Sequence, residues 1–168
     1  MGAAAGRING KYGEVAWTPI RYLNRAYSRS GLAGLYRSAR AALVTPLRDG
    51  MNLVAKEYIA AQDVNDPGVL ILSRFAGAAA ECQSALLVNP YDADSVAGAI
   101  ARALEMPLEE RLERHNANLA ALACNGGTVW SSRFLQSLAG SQTINEPLPG
   151  EFSLAPFSPS RPSVAARR

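Results

Sequence analysis

Three short apolar runs restrict the possible folds of this chain more than any other feature. They lie at 41–45, 69–72 and 85–88, read AALVT, VLIL and ALLV, and are separated by stretches with helical periodicity. A short run that is apolar at nearly every position is typical of a strand covered on both faces, as in a parallel sheet. The order of strands and helices therefore predicts an α/β fold with a parallel sheet of about three strands, right-handed crossovers and flanking helices.

The segment after the first strand has the features of a ligand site. The predicted strand ends at Thr45, Pro46 follows, and a helix is predicted from Met51 to Gln62. Open α/β sheets bind ligands outside the carboxyl ends of their strands. The first turn of a helix there offers unpaired N–H groups and the positive end of the macrodipole to an anion such as phosphate. Gly50 would let a ligand come close to the backbone.

Two carboxylates flank the start of this helix and suit a ligand with hydroxyl groups. The N–H groups of Asn52, Leu53 and Val54 are expected to face the ligand. Glu57 lies one turn beyond Leu53 on the same face, so its carboxylate can accept hydrogen bonds from the hydroxyls of a ribose attached to the phosphate. Asp49 can do the same on the other side. The segment therefore predicts a phosphorylated ligand that is rich in hydroxyl groups.

The spacing of Asp49 and Glu57, with seven residues between them, is found in a known family together with further strings. The strings are INGKYG from Ile8, WTP from Trp17, VTPLRDGMNLVAKEY from Val44, LSRFAG from Leu72 and VNPYD from Val88. Because they occur in one order over residues 7–138, the chain resembles the trehalose-6-phosphate synthase family of retaining, two-lobed glycosyltransferases. The resemblance implies a partial Rossmann-like sheet, the C-terminal half of the nucleotide-sugar-binding domain of such an enzyme.

The resemblance also implies a ligand and residue roles. The ligand would be UDP-glucose, whose glucose passes to glucose-6-phosphate with retention, without a metal or other cofactor. Leu53 and Val54 would bind the diphosphate through their N–H groups and Glu57 the ribose, while Tyr27, where the family usually has phenylalanine, would contact the uracil through its backbone. The residues placed along the glucose are Asp49, Gly50, Met51 and Asn52. No residue resembles a nucleophile or general base, so no catalytic residue is assigned.

Parts of the family pattern have no counterpart in these 168 residues. They are the N-terminal lobe, with its glucose-6-phosphate pocket, and a basic pair that clamps the diphosphate. The chain is therefore expected to be an inactive fragment, or else a non-catalytic remnant or interaction module with weak nucleotide binding. A third reading, another retaining nucleotide-sugar transferase, fits the spacing but not the strings around Gly10 and Met51. Without a neighbouring strand, Leu43 would lie on an exposed apolar edge, open to a missing N-terminal lobe or to self-association.

The chain is expected to divide into three segments. Residues 1–20 are predicted to form an N-terminal loop because glycines interrupt them, residues 21–139 the α/β domain, and residues 140–168, rich in proline and serine, a disordered tail. Further helices are predicted at 20–40 and 78–82, after Asp92 or Asp94, from Pro107, and at 129–138. The last of these is expected to bury Trp130, Phe134 and Leu138.

Composition excludes several classes of function. No apolar run approaches the ~20 residues that span a bilayer, and no signal peptide is evident, so a cytoplasmic protein without membrane association is expected. The net charge is +3, and the basic residues concentrate in the first 48. They accompany no nucleic-acid recognition motif, so nucleic acid is not an expected partner.

Four single residues carry separate expectations. Cys82 and Cys124 match no metal or redox spacing and are predicted to be reduced core residues. His115, the only histidine, occupies an apolar helical stripe and is expected to be a packed residue rather than a catalyst. Arg74 follows the second strand and could either approach an anion or pair with an acid at the surface.

Overall fold

The computed structural model describes residues 2–141 and divides the chain into two compact units, 1–126 and 127–168. In the described part the first unit contains a parallel sheet with strand order β1-β2-β3, as the α/β prediction requires. The strands are β1 (Ala41–Val44), β2 (Val69–Ser73) and β3 (Leu86–Val88). The helices of this unit are α1 (Gly2–Tyr12), α2 (Arg29–Ser38), α3 (Leu53–Ala61), a short 3-10 helix (Gly77–Ala80), α4 (Ala93–Glu105) and α5 (Leu108–Cys124). The second unit contains α6 (Gly127–Ser141).

The central strand β2 is buried along its whole length. On one face Ile71 packs in a cluster with Leu86 and Val88 of β3 and with Ala103 of α4. On the other face Leu72 belongs to a second cluster, which includes residues of α3 and Cys82. Apolar side chains are required on both faces, and this requirement explains the unbroken apolar run in the sequence.

Strand β1 forms one edge of the sheet. Leu43 pairs in register with Ile71, yet Leu43 is 48% exposed and Ile71 is fully buried. The prediction of an exposed apolar edge near Leu43 is therefore confirmed.

Side-chain caps determine the first residue of a helix more precisely than hydrophobic periodicity can predict it. The helix predicted over 20–40 begins only at Arg29, because the Ser28 hydroxyl accepts a 3.2 Å hydrogen bond from the N–H of Gly31. Asn52 caps α3 in the same way, so α3 begins at Leu53 rather than Met51. Asp92, one of the two caps predicted for α4, is the one observed.

The loop predicted for residues 1–20 is wrong over much of its length, because α1 occupies Gly2–Tyr12. Three consecutive alanines favour a helix enough to offset the glycines, and Lys11 in the last turn interacts favourably with the macrodipole. The Asn9 side-chain amide bonds both backbone groups of Ile20, with hydrogen bonds of 2.7 and 2.8 Å. This pair of bonds connects the helix to the segment that follows it.

Two predictions of burial are also wrong. In α6, Trp130, Phe134 and Leu138 are 51%, 50% and 52% exposed, and the two aromatic rings stack on each other with centroids 5.3 Å apart. Helical spacing showed that they share a face but could not show what covers it. Cys82 is a buried free thiol as predicted, whereas Cys124 is exposed. The predicted tail lies outside the described residues apart from its first two positions, which belong to α6.

No helix within residues 2–141 combines the length and apolar character that crossing a membrane requires.

His115 is packed in the interior, as expected, and is only 5% exposed. Burial lowers the pKa of its imidazole, so the folded state resists protonation. The unfolded chain binds a proton below about pH 6.5. We therefore expect the melting temperature to fall as the pH drops from about 7 through 6.5 towards the lower pKa of the folded state.

Thermal melts at intervals between pH 8 and pH 5 check this expectation. The carboxylates with lowered pKa, Asp63 and Glu110, titrate below this window and contribute their own losses only at lower pH. His115→Gln should remove most of the slope. An equal slope in this variant would contradict the assignment.

Candidate ligand-binding site

The loop between β1 and α3 is shaped by two of the predicted site residues. The Asp49 carboxylate accepts hydrogen bonds from the N–H of Met51 (3.1 Å) and from the Asn52 side-chain amide (2.9 Å). Asn52 has φ 72°, the one positive φ of a non-glycine among residues 2–141, and asparagine tolerates this region better than most residues. Its Oδ1 accepts a 3.0 Å hydrogen bond from the N–H of Ala55. Asp49 and Asn52 thus fix both the loop and the start of the helix.

The turn after β2 supports this loop from behind. Asp49 donates its N–H to the carbonyl of Phe75 (3.3 Å), Gly77 donates to the carbonyl of Asp49 (2.9 Å), and Ala78 donates to that of Met51 (2.6 Å). A Cβ at Gly77 would lie 2.1 Å from the Gly50 carbonyl oxygen. Only glycine therefore allows the two loops to approach so closely.

Close packing thus requires a glycine at Gly77 and not at Gly50, where an added Cβ would meet nothing within 4 Å. Sequence reasoning missed the role of Gly77. The available signal was a glycine a few residues beyond the carboxyl end of β2, where two parallel strands bring their following loops together.

The first turn of α3 presents unpaired backbone donors. The cap uses the N–H of Ala55. The N–H groups of Leu53 and Val54 have no acceptor within the helix, and these residues are 59% and 45% exposed. With the macrodipole adding roughly half a positive charge, this turn can bind an anion.

Glu57 lies one turn further on, on a cleft of about 510 Å³ between α2 and α3. Burial and the negative charge of Glu57 beside it raise the pKa of Tyr36, so a carboxylate and a phenol share this wall. Sequence reasoning assigned Tyr36 no role, because the packing of α2 on α3 is a tertiary contact. The cleft is lined by Arg29, Leu32, Ala33, Tyr36, Glu57, Ala60 and Ala61.

Tyr27 stands apart from the other predicted site residues. Its hydroxyl accepts a 2.9 Å hydrogen bond from Arg25, whose guanidinium also lies 4.9 Å from the centre of the ring. Within the described segments the structure gives Tyr27 no hydrogen bond to residues 49–57. It does place Tyr27 two residues before Arg29, which lines the cleft.

Two arginines follow neighbouring strands at the carboxyl edge of the sheet. Arg48 follows β1 and Arg74 follows β2, and both are exposed. Neither side chain forms an ion pair with any acid of residues 2–141. For Arg74 this favours the anion-approaching reading over a surface ion pair. Among these same residues, no group of three or more His, Cys, Asp or Glu side chains could hold a metal ion.

Comparison with known proteins identifies relatives of this chain. The family model for glycosyltransferase family 20 matches residues 2–140. The trehalose-6-phosphate synthase of Enterobacter sp. (strain 638) is 58% identical over 134 residues, which cover 80% of this chain and 28% of that protein. Two solved structures match with 55% identity.

The first, from E. coli and bound with UDP-2-fluoro glucose, has a TM-score of 0.78 over 82% of this chain and 30% of that chain. The second is an alpha,alpha-trehalose-phosphate synthase (UDP-forming) from Burkholderia xenovorans in complex with glucose-6-phosphate. It has a TM-score of 0.79 over 83% of this chain and 30% of that chain.

The chain thus spans less than a third of the length of these relatives. Over that span it shares their fold. Since the family model matches nearly all of the described residues, the chain belongs to glycosyltransferase family 20.

Proposed function

We propose that this chain is the donor-binding part of a trehalose-6-phosphate synthase and that it binds UDP-glucose. The observation that carries the proposal is the position of Glu57 on a cleft one turn beyond the exposed donors of Leu53 and Val54. A diphosphate and its nucleoside need these two features side by side. The ligands bound in the two solved relatives, UDP-2-fluoro glucose and glucose-6-phosphate, support a sugar-nucleotide donor and a sugar-phosphate acceptor.

The diphosphate is assigned to the first turn of α3. The N–H groups of Leu53 and Val54 would bind its oxygens, as helix N-termini commonly bind phosphate. Arg48 and Arg74 add positive charge at the same edge of the sheet, and neither forms an ion pair with an acid of the described chain. Charge of this sign draws an anionic ligand towards the edge.

The nucleoside is assigned to the cleft between α2 and α3. Its volume of about 510 Å³ lies within the usual range for small-molecule pockets. Glu57 would accept hydrogen bonds from the two ribose hydroxyls, and the apolar walls would cover the base. Tyr27 lies two residues before the N-terminal end of α2, and that end of the helix lines the cleft. Tyr27 would contact the uracil through its backbone.

The glucose is assigned to the loop of Asp49, Gly50, Met51 and Asn52. Each Asp49 carboxylate oxygen accepts one hydrogen bond inside the loop. A carboxylate has about four lone-pair sites, so Asp49 can still accept a bond from a sugar hydroxyl. Because the loop is already held by Gly77 and Ala78, it requires little ordering when the sugar binds.

The chemical contribution proposed for this chain is to position the donor and to stabilise the leaving diphosphate. The acceptor site and part of the donor site would come from a missing N-terminal lobe, and a strand beside β1 would come from the first half of the nucleotide-sugar-binding domain. The isolated chain is accordingly expected to form no trehalose-6-phosphate from UDP-glucose and glucose-6-phosphate. Product formation by the purified chain alone would contradict this division of the enzyme.

Glu57→Ala tests the donor site. UDP-glucose at about 100 times its dissociation constant should stabilise the wild-type chain by roughly 2.7 kcal/mol, which raises the melting temperature by several degrees. The variant should lose most of that shift because the ribose hydroxyls lose their acceptor. Thermal melts followed by circular dichroism, with and without UDP-glucose, measure the effect.

The matched control is Glu105→Ala, an exposed glutamate at the end of α4, which should keep the full shift. A Glu57→Ala shift as large as that of the control would remove Glu57 from the site. A wild-type chain that melts cooperatively but ignores UDP-glucose would refute the donor-binding proposal and favour the interaction module.

A further inference from the structure

Helix α5 carries three polar side chains into the interior on one stripe. Arg111, His115 and Asn118 are only 5%, 5% and 4% exposed, and their spacing places them on one helical face. The Asn118 oxygen accepts a 3.1 Å hydrogen bond from the N–H of Ser84. This interior polar stripe lies outside the loop and the cleft assigned to the sugar nucleotide.

Arg111 is only partly satisfied by its neighbours. Its Nη1 donates to the carboxylate of Asp66 and to the carbonyl of Pro67, both at 2.5 Å. Two buried nitrogens on this stripe have no hydrogen-bond partner within the described residues, namely Nε of Arg111 and Nε2 of His115. Native proteins leave few buried polar atoms unpaired, so two on one stripe indicate a missing partner.

The same two residues line one small cavity between α5, α3 and the start of β2. Its wall also includes Ile59, Val69 and Asn118, and its free space of about 10 Å³ suits a single water molecule. Arg111, His115 and Asn118 of α5 line this space, and all three side chains carry polar atoms. It therefore differs from an apolar void, which stays dry.

We propose that this cavity binds one ordered water that accepts a hydrogen bond from Arg111 Nε and forms a second with His115 Nε2. Arginine Nε can only donate, whereas Nε2 of a neutral histidine donates or accepts according to its tautomer. A water molecule can accept from Arg111 Nε and, with His115 Nε2, can either accept or donate a hydrogen bond. A cation would be repelled by the guanidinium groups of Arg111 and Arg114, which both line the cavity. An anion is disfavoured because each of these groups already forms an ion pair, Arg111 with Asp66 and Arg114 with Glu110.

The water would complete a connection between distant parts of the first unit. Arg111 already ties α5 to the turn at Asp66 and Pro67, which precedes β2. Through the water, His115 would join the same network one turn further along α5. The network contacts no residue assigned to the donor, so the inference is independent of the proposed function.

A crystal structure of the full chain, grown in a bromide-containing solution, tests the site directly. We expect one solvent peak within about 3.2 Å of both Arg111 Nε and His115 Nε2, without a bromide anomalous signal. An empty cavity overturns the proposal. So does a bromide signal at the site, which would make it an anion site, or a side chain turned to a protein partner.

A measurement in solution provides a second test. Nuclear magnetic resonance should detect cross-relaxation between the Arg111 Nε proton and a long-lived water in the wild-type chain. His115→Leu should lose this signal, whereas His115→Gln should keep it because its amide can bond the water. Absence of the signal in folded wild-type protein overturns the proposal, even if the leucine variant does not fold.

Discussion

Replacing Gly77 by alanine is expected to destabilise the chain and to abolish its stabilisation by UDP-glucose. The new Cβ would lie 2.1 Å from the carbonyl oxygen of Gly50, 2.7 Å from its carbonyl carbon and 3.1 Å from Cα of Met51. These are main-chain atoms, which cannot move aside without breaking the hydrogen bonds that join the two loops. Overpacking of this kind typically costs about 1–3 kcal/mol. Urea unfolding measures the loss, and melts with UDP-glucose measure the ligand effect.

Gly50→Ala is the matched control, since a Cβ at that position meets nothing within 4 Å. Its stability should stay within about 0.5 kcal/mol of wild type. If the ligand approaches the Gly50 backbone as proposed, this variant should nevertheless bind UDP-glucose more weakly. A Gly77→Ala variant with wild-type stability and a full ligand shift would show that the turn after β2 does not support the site loop.

Ile71→Ala is expected to produce the largest loss of stability. Ile71 is fully buried at the centre of β2 and packs against Leu86, Val88 and Ala103. Truncation of such a side chain removes apolar contacts and leaves a cavity, which costs about 2–5 kcal/mol. The free energy of unfolding in urea, compared with that of the wild-type chain, gives the value.

Leu43→Ala provides the comparison within the same sheet, because Leu43 pairs with Ile71 but is 48% exposed. We expect its loss to be less than half that of Ile71→Ala. Equal losses would mean that another polypeptide covers Leu43 in solution. Repeating the unfolding at tenfold lower protein concentration would then show whether self-association provides the cover.

The parts of the structure that the sequence predicts are those specified locally. Strand β2 could be located because every position from Val69 to Leu72 is apolar, and its burial on both faces requires this. The segment from Asp49 to Glu57 could be proposed as a site because the strand end, the turn and the helix cap are consecutive in the chain.

The parts that escaped prediction depend on contacts between distant segments or on small energy differences. Gly77 acts through a main-chain approach to Gly50, which no side-chain pattern records. Tyr36 joins the cleft only because α2 packs beside α3. In α1 the balance between alanine and glycine propensities is narrow, and the exposure of Trp130 depends on neighbours that a single helix cannot reveal.

The support behind the site loop consists of hydrogen bonds between main-chain groups. The side chains of Arg74 and Phe75 take no part in those bonds, although both residues belong to the supporting turn and Phe75 is 43% exposed. Their identities can therefore change without moving the loop. Evolution, or a designed library, can vary these two positions to alter ligand preference while the backbone that presents the ligand stays constant.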